Sequence, residues 1–303
     1  MGNYAQKSIF KHNYALRIPT AYWFVLPAML FFTVLAIYPS GYTVFLSLFA
    51  GPKGTAISQE FTNFSNYTAV FNSPKLVQIL LQTGYYAGVA TLLHLLLGFL
   101  TALLLNVLPL NIQFIRFART AFLIPWAISP TVVAILFRLL LHPQVGPFAI
   151  ILKQMGYTGV FFPLGNPDMA LMAVTLTNVW TFTPFYFLML LSAMQSIDPT
   201  LYEAAVVDGA NGRQQIFHIT LPMIKNTLLT LAIFDFVTTA AYFDLTWILT
   251  QGGPINKSEI LSTWVYRTAF QSFEFGKASA IGMILFAVSI IFTVIVLRAI
   301  DKG

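Results

Sequence analysis

Apolar residues run on in this chain for longer than the core of a globular domain can use. Six segments, at about 21–49, 77–108, 117–141, 169–193, 226–250 and 278–300, each reach the roughly 20 residues that a helix needs to cross a hydrocarbon core of about 30 Å. Inside lipid every backbone N–H and C=O must find its partner within the protein, and a helix does this within one segment. The expected fold class is therefore all-α and integral to the membrane, with six transmembrane helices across residues 21–300. The first segment would reach about 43 Å as a single helix, so tilt or a break near Tyr38-Pro39-Ser40-Gly41 is expected. Pro125 and Pro130 interrupt the third. Gly84 and Gly88 in the second have the GxxxG spacing that permits close helix contact.

Composition narrows the function. Charged residues are 9% of the 303, against about 25% in an ordinary soluble domain. There is no cysteine, which excludes disulfides, thiolate metal sites and thiol redox chemistry. The net charge of +6 is scattered and suits cytoplasmic loops in a lipid bilayer better than a nucleic-acid partner. Residues 1–20 carry Lys7, Lys11 and Arg17, and the apolar run behind them is too long for a signal-peptide core. They read as a cytoplasmic N-terminal segment before a retained first span. Six spans put both termini on one side. That side holds nine basic residues (Lys7, Lys11, Arg17, Arg116, Arg119, Arg213, Lys225, Arg298, Lys302) and the other seven (Lys53, Lys75, Arg138, Lys153, Lys257, Arg267, Lys277). The bias favours cytoplasmic termini in a cell membrane.

Between the fourth and fifth spans lies EAAVVDGANGRQQIFHITLP, residues 203–222, a polar stretch in an oily chain. Thr200 and Glu203 have capping-box spacing, Gly209 and Gly212 allow a reversal, and Ile216, Ile219 and Leu221 give a second helix an apolar face that Pro222 ends. A helix pair this short is marginal alone and suits seating in another protein. The pattern Glu203, Ala204, Ala205, Gly209, Ile219, Leu221, Pro222 resembles the EAA signature of the membrane subunits of binding-protein-dependent ABC importers. Trp180–Leu190, Leu201-Tyr202, Phe243-Asp244 and Leu249–Pro254 extend the resemblance, as do Tyr38-Pro39 and Phe61–Tyr67, so that it covers nearly the whole chain. It points to the carbohydrate branch, similar to the larger subunit of maltose-type and glycerol-phosphate-type importers, but without the maltose-type subunit's extra N-terminal spans and extracytoplasmic insert.

The resemblance implies a type I importer permease whose residues 199–222 form a cytoplasmic coupling helix pair. It further implies a dimer of separate ATPase subunits that bind ATP and magnesium, a second homologous permease, an extracytoplasmic sugar-binding protein, and a sugar or oligosaccharide substrate. No cofactor, catalytic residue or metal is expected on this chain. Acidic residues within spans are costly and mark function. Asp235, Thr238, Thr239 and Tyr242 lie at i, i+3, i+4, i+7, one face of a helix, which Thr246 would extend. Asn178, Thr181 and Phe185 form a matching face on the fourth span, with Phe182 beside them. Carboxylate, amide, hydroxyls and aromatic rings suit a sugar, and the maltose-type contacts fall on or near these eight positions. His94 reads as a helix–helix hydrogen bond rather than a metal ligand, and Asp244 as a brace for Gly252-Gly253-Pro254. Two rival readings are an ion-coupled transporter using Asp235 and an intramembrane enzyme; the second lacks a nucleophile–base pair.

Overall fold

A computed structural model describes residues 20–50, 60–107 and 111–301. The N-terminal segment 1–20, apart from Thr20, lies outside the described residues, as does 51–59 of the first long loop. The chain forms two units, one ending at Phe45 and one beginning at Leu46. The first holds α1 (Thr20–Phe32), a π-helical turn (Thr33–Ile37) and most of α2 (Tyr38–Ser47). Pro39 does not break this span as expected. The Tyr38 N–H bonds back to the Thr33 carbonyl, five residues earlier, and the widened turn makes room for a proline ring that would strike the carbonyl four residues behind it.

The second unit begins with a two-residue antiparallel ladder, β1 (Phe49–Ala50) with β2 (Glu60–Phe61), Phe49 opposite Phe61. Helices follow: α3 (Ser65–Phe71), α4 (Leu76–Val107), α5 (Ile112–Ala127), α6 (Pro130–Leu140), α7 (Pro147–Gln154), α8 (Ala170–Gln195), α9 (Pro199–Val207), α10 (Gly212–Gln215), α11 (Leu221–Ala240), α12 (Asp244–Thr250), α13 (Leu261–Tyr266) and α14 (Phe275–Asp301). Among the described residues five helical runs are long and apolar enough to cross a membrane, and α5 with α6 makes a sixth if the bent pair counts as one. That pair turns through 93°. Ile128 and Ser129 are extended, ψ 139° and 131°, because Pro130 pushes the residue before it out of the helical region. Pro125 sits inside α5 and breaks nothing.

The fifth span departs further from expectation. A second π turn, Ile216–Thr220, precedes Pro222, and the Leu221 N–H reaches the Ile216 carbonyl. Pro222 therefore ends no helix, and Gly212–Ala240 is one run of 29 residues. The run stops at Ala240 rather than 250. Phe243 stacks on Trp247 and Tyr266, with ring centroids 5.6 and 4.5 Å away, and α12 starts anew. Thr246 is thus not on the Asp235 helix.

α8 is the central element, with 67% of its apolar stretch buried against at most 28% for any other span. Tyr186, Phe187, Leu190, Leu191 and Met194 pack with Ala102, Ile224 and Leu231 into one core cluster. α4 crosses α8 closely because of Gly98: a Cβ there would lie 2.9 Å from the Phe187 backbone nitrogen. Gly84 and Gly88, the GxxxG pair, meet nothing within 4 Å.

Candidate functional site

The close crossing at Gly98 brings His94, one turn earlier on α4, against both α8 and α11. Its Nδ1 lies 2.8 Å from Asp235 Oδ2, and its Nε2 3.4 Å from the Asn178 carbonyl. The ring stacks on Tyr186 at 5.0 Å and meets the edge of Phe182 at 6.4 Å. The other carboxylate oxygen, Oδ1, accepts from the Thr239 hydroxyl at 2.9 Å. His94 and Asp235 are both buried. A carboxylate is costly in this setting unless paired and hydrogen-bonded, and here both of its oxygens are engaged. His94 does make a helix–helix hydrogen bond, and its partner is the intramembrane acid singled out for substrate.

A cavity of about 240 Å³ opens beside the pair, lined by Trp126, Phe182, Phe185, Tyr186, Phe234, Asp235, Thr238, Thr239 and Tyr242. Six of the eight expected substrate residues are on its wall. Tyr242 arrives there from the turn after α11, packed edge-on against Phe182 at 5.0 Å. Asn178 and Thr181 are not on the wall. Both are fully buried, and the Thr181 hydroxyl donates to the Thr177 carbonyl at 2.7 Å. The Asn178 amide and the hydroxyls of Tyr86 and Thr246 are buried as well. Trp126, Tyr186 and Phe234 were not on the expected list. Tyr186 and Phe234 each adjoin an expected residue in sequence, whereas Trp126 comes from α5, against Phe185 at 5.5 Å.

The 199–222 loop is built differently. Asp198, not Thr200, caps α9: its carboxylate accepts from the Thr200 N–H at 2.9 Å, with Pro199 in the first turn. That backbone bond, with a further one from the Thr200 side chain, holds the Asp198 carboxyl below its ordinary range. Gly209 takes φ +80°, where only glycine is comfortable. Asn211 and Gln214 form a reciprocal capping box at α10 that the sequence reading passed over. Tyr202 and Thr220 hydroxyls meet at 2.9 Å and tie α9 to the π turn. No residue of α9 is buried; Glu203, Ala204 and Gly209 are exposed, Ala205, Ile219 and Leu221 half-buried, and Pro222 exposed. Val206 and Val207 are exposed at 61% and 87%.

Among the described residues no hydrogen bond joins Asp244 to the Gly252-Gly253-Pro254 loop. The loop is held instead by Arg267, which donates to the Gln251 carbonyl at 2.6 Å and to the Asn256 side chain at 3.0 Å, and pairs with Glu259 at 3.2 Å. Gln82 donates to the Lys257 carbonyl from α4 at 2.8 Å. Burial raises the Glu259 carboxyl above its usual range, and Arg267 opposes the shift in part.

The sequence profile of the family described as "Binding-protein-dependent transport system inner membrane component" matches residues 95–303. The chain is 32% identical over 278 residues to the sulfoquinovosyl glycerol transport system permease protein SmoG of Agrobacterium fabrum, covering 90% of this chain and 88% of that one. It is 30% identical to the trehalose/maltose transport system permease protein MalF of Thermococcus litoralis, over 91% of this chain and 92% of the relative. In fold it is similar to a chain of a bacterial ABC transporter involved in the import of the acidic polysaccharide alginate, with a TM-score of 0.81, 24% identity, and 93% and 95% of the two chains covered.

Proposed function

Because the chain belongs to the binding-protein-dependent transport system inner membrane components, we propose that it is a permease subunit of an ATP-driven sugar importer, forming half of the translocation pore. It is a multi-pass membrane protein and, like its relatives, a permease rather than an enzyme. The observation that carries the sugar reading is the cavity at the α8–α11 crossing. Aromatic faces for C–H surface and a fixed carboxylate with flanking hydroxyls converge there, on helices where the resemblance places substrate contacts. The names of the relatives support a carbohydrate or glycoside cargo.

Energy enters through the exposed α9–α10 hairpin. Glu203, Ala204 and Ala205 seat in an ATPase subunit, Gly209 makes the reversal, and the Ile219-Leu221-Pro222 side passes the movement into α11. ATP and magnesium are bound by the ATPase dimer, a second permease completes the pore, and an extracytoplasmic binding protein delivers the sugar. Both termini then face the cytoplasm. Reconstitution tests the whole reading: uptake into proteoliposomes requires ATP, the ATPase and the binding protein together. Uptake by this chain alone under a proton or sodium gradient overturns it.

A further inference from the structure

Among the described residues, the wall of the α8–α11 cavity carries one carboxyl group, that of Asp235, and no lysine, arginine or histidine. Granted the transport reading above, we propose that this site selects uncharged glycosides and rejects anionic ones, with Asp235 as the specificity-determining residue and His94 as the residue that positions it. The orientation of the pair is the reason. His94 Nδ1 lies 2.8 Å from Asp235 Oδ2, and its Nε2 3.4 Å from the Asn178 carbonyl, so the ring is committed to atoms outside the cavity. The ring lies behind the carboxyl group, fully buried and off the wall. The cavity therefore meets the Asp235 side of the pair.

The neighbouring hydroxyls are oriented the same way. Thr239 gives its proton to Asp235 Oδ1, and Thr238 gives its own to the Phe234 and Asp235 carbonyls. Both present lone pairs. Such a wall accepts hydrogen bonds from sugar hydroxyls, whereas a sulfonate, phosphate or uronate needs donors or a cation. An anionic group about 6 Å from the Asp235 carboxylate, at an effective dielectric near 20, binds about tenfold or more less well. This separates the chain from relatives whose named cargoes, sulfoquinovosyl glycerol and alginate, carry negative charge.

Glucosylglycerol and sulfoquinovosyl glycerol make the test, since they share a scaffold and differ by a hydroxyl against a sulfonate at one carbon. Their binding to the purified complex of this chain with its permease and ATPase partners is followed by quenching of Trp126 fluorescence, with Trp126→Phe as the control for the origin of the signal. The uncharged glycoside is expected to bind at least about tenfold more tightly. Asp235→Asn brings the ratio towards one, because the wall then carries no carboxylate. His94→Gln, which keeps a donor towards Asp235, retains the preference, and His94→Leu narrows it. Equal or tighter binding of the sulfonate by the wild type overturns the proposal, and that ratio decides even if Asp235→Asn fails to assemble. An unchanged ratio in an assembled Asp235→Asn complex also overturns it. Binding of neither glycoside by a complex that still drives ATP-dependent sugar uptake removes the site itself, and the selection with it.

Discussion

Two of the chain's polar islands are satisfied in opposite ways. Around His94 and Asp235 the polar atoms of three helices bond to one another inside the membrane core. Around Glu203 the side chains of α9 and the turn after it stand exposed, with Val206 and Val207 uncovered beside them. The bonds of the first island run between helices of the chain itself, so disturbing it is expected to cost folding as well as function. The second has local caps but, among the described residues, no residue of α9 is buried; on the proposed reading it seats in the ATPase, so disturbing it is expected to cost coupling while the chain still folds.

Gly209→Pro separates the islands most sharply. A proline cannot adopt φ +80° and lacks the N–H that bonds to the Val206 carbonyl. ATP-driven uptake is expected to be lost, and Glu203→Ala should do the same, while both subunits insert at normal levels. Normal uptake in both variants would remove the coupling role. Asp235→Ala comes next. It leaves His94 buried without its partner, a loss of about 3–5 kcal/mol by the behaviour of broken buried pairs, so both the thermal midpoint of the purified chain and uptake should fall. An unchanged midpoint would mean that the pair is not what closes the first island. Gly98→Val forces a side chain against the Phe187 backbone at the α4–α8 crossing and should cost about 1–3 kcal/mol; Gly88→Ala, where the space is open, should cost nothing measurable. Equal melting of these two variants would refute the crossing. The smallest effect belongs to Asp198→Ala, which removes the cap of α9 and is visible as faster amide exchange in α9 with uptake only partly reduced.

Much of the exposed island was legible in the sequence because its logic is local. Glycine at the reversal and small residues on one helix are read from spacing. The buried island was half legible. Asp235, Thr238 and Thr239 share one regular helix, so their common face followed from counting. Asn178 and Thr181 obeyed the same count on α8 and yet point into packing. α8 is covered on most of its sides, and periodicity cannot tell a wall facing a cavity from a wall facing another helix. His94 lies 141 residues from its partner, a pairing to which no local pattern refers.

Six apolar runs, the absence of cysteine and the glycine-broken polar loop are properties of composition and short-range spacing, and they settle an all-helical membrane protein with a reversal on one side. Where the helices bend is a different matter. Three prolines looked alike on paper: Pro39 and Pro222 are absorbed by π turns, while Pro130 turns its span through 93°. α11 stops at Ala240 with no proline at all, because Phe243 finds aromatic partners in Trp247 and Tyr266. Those outcomes, and the meeting of His94 with Asp235, depend on contacts between segments far apart in the chain. They exist only once α4, α8 and α11 have packed.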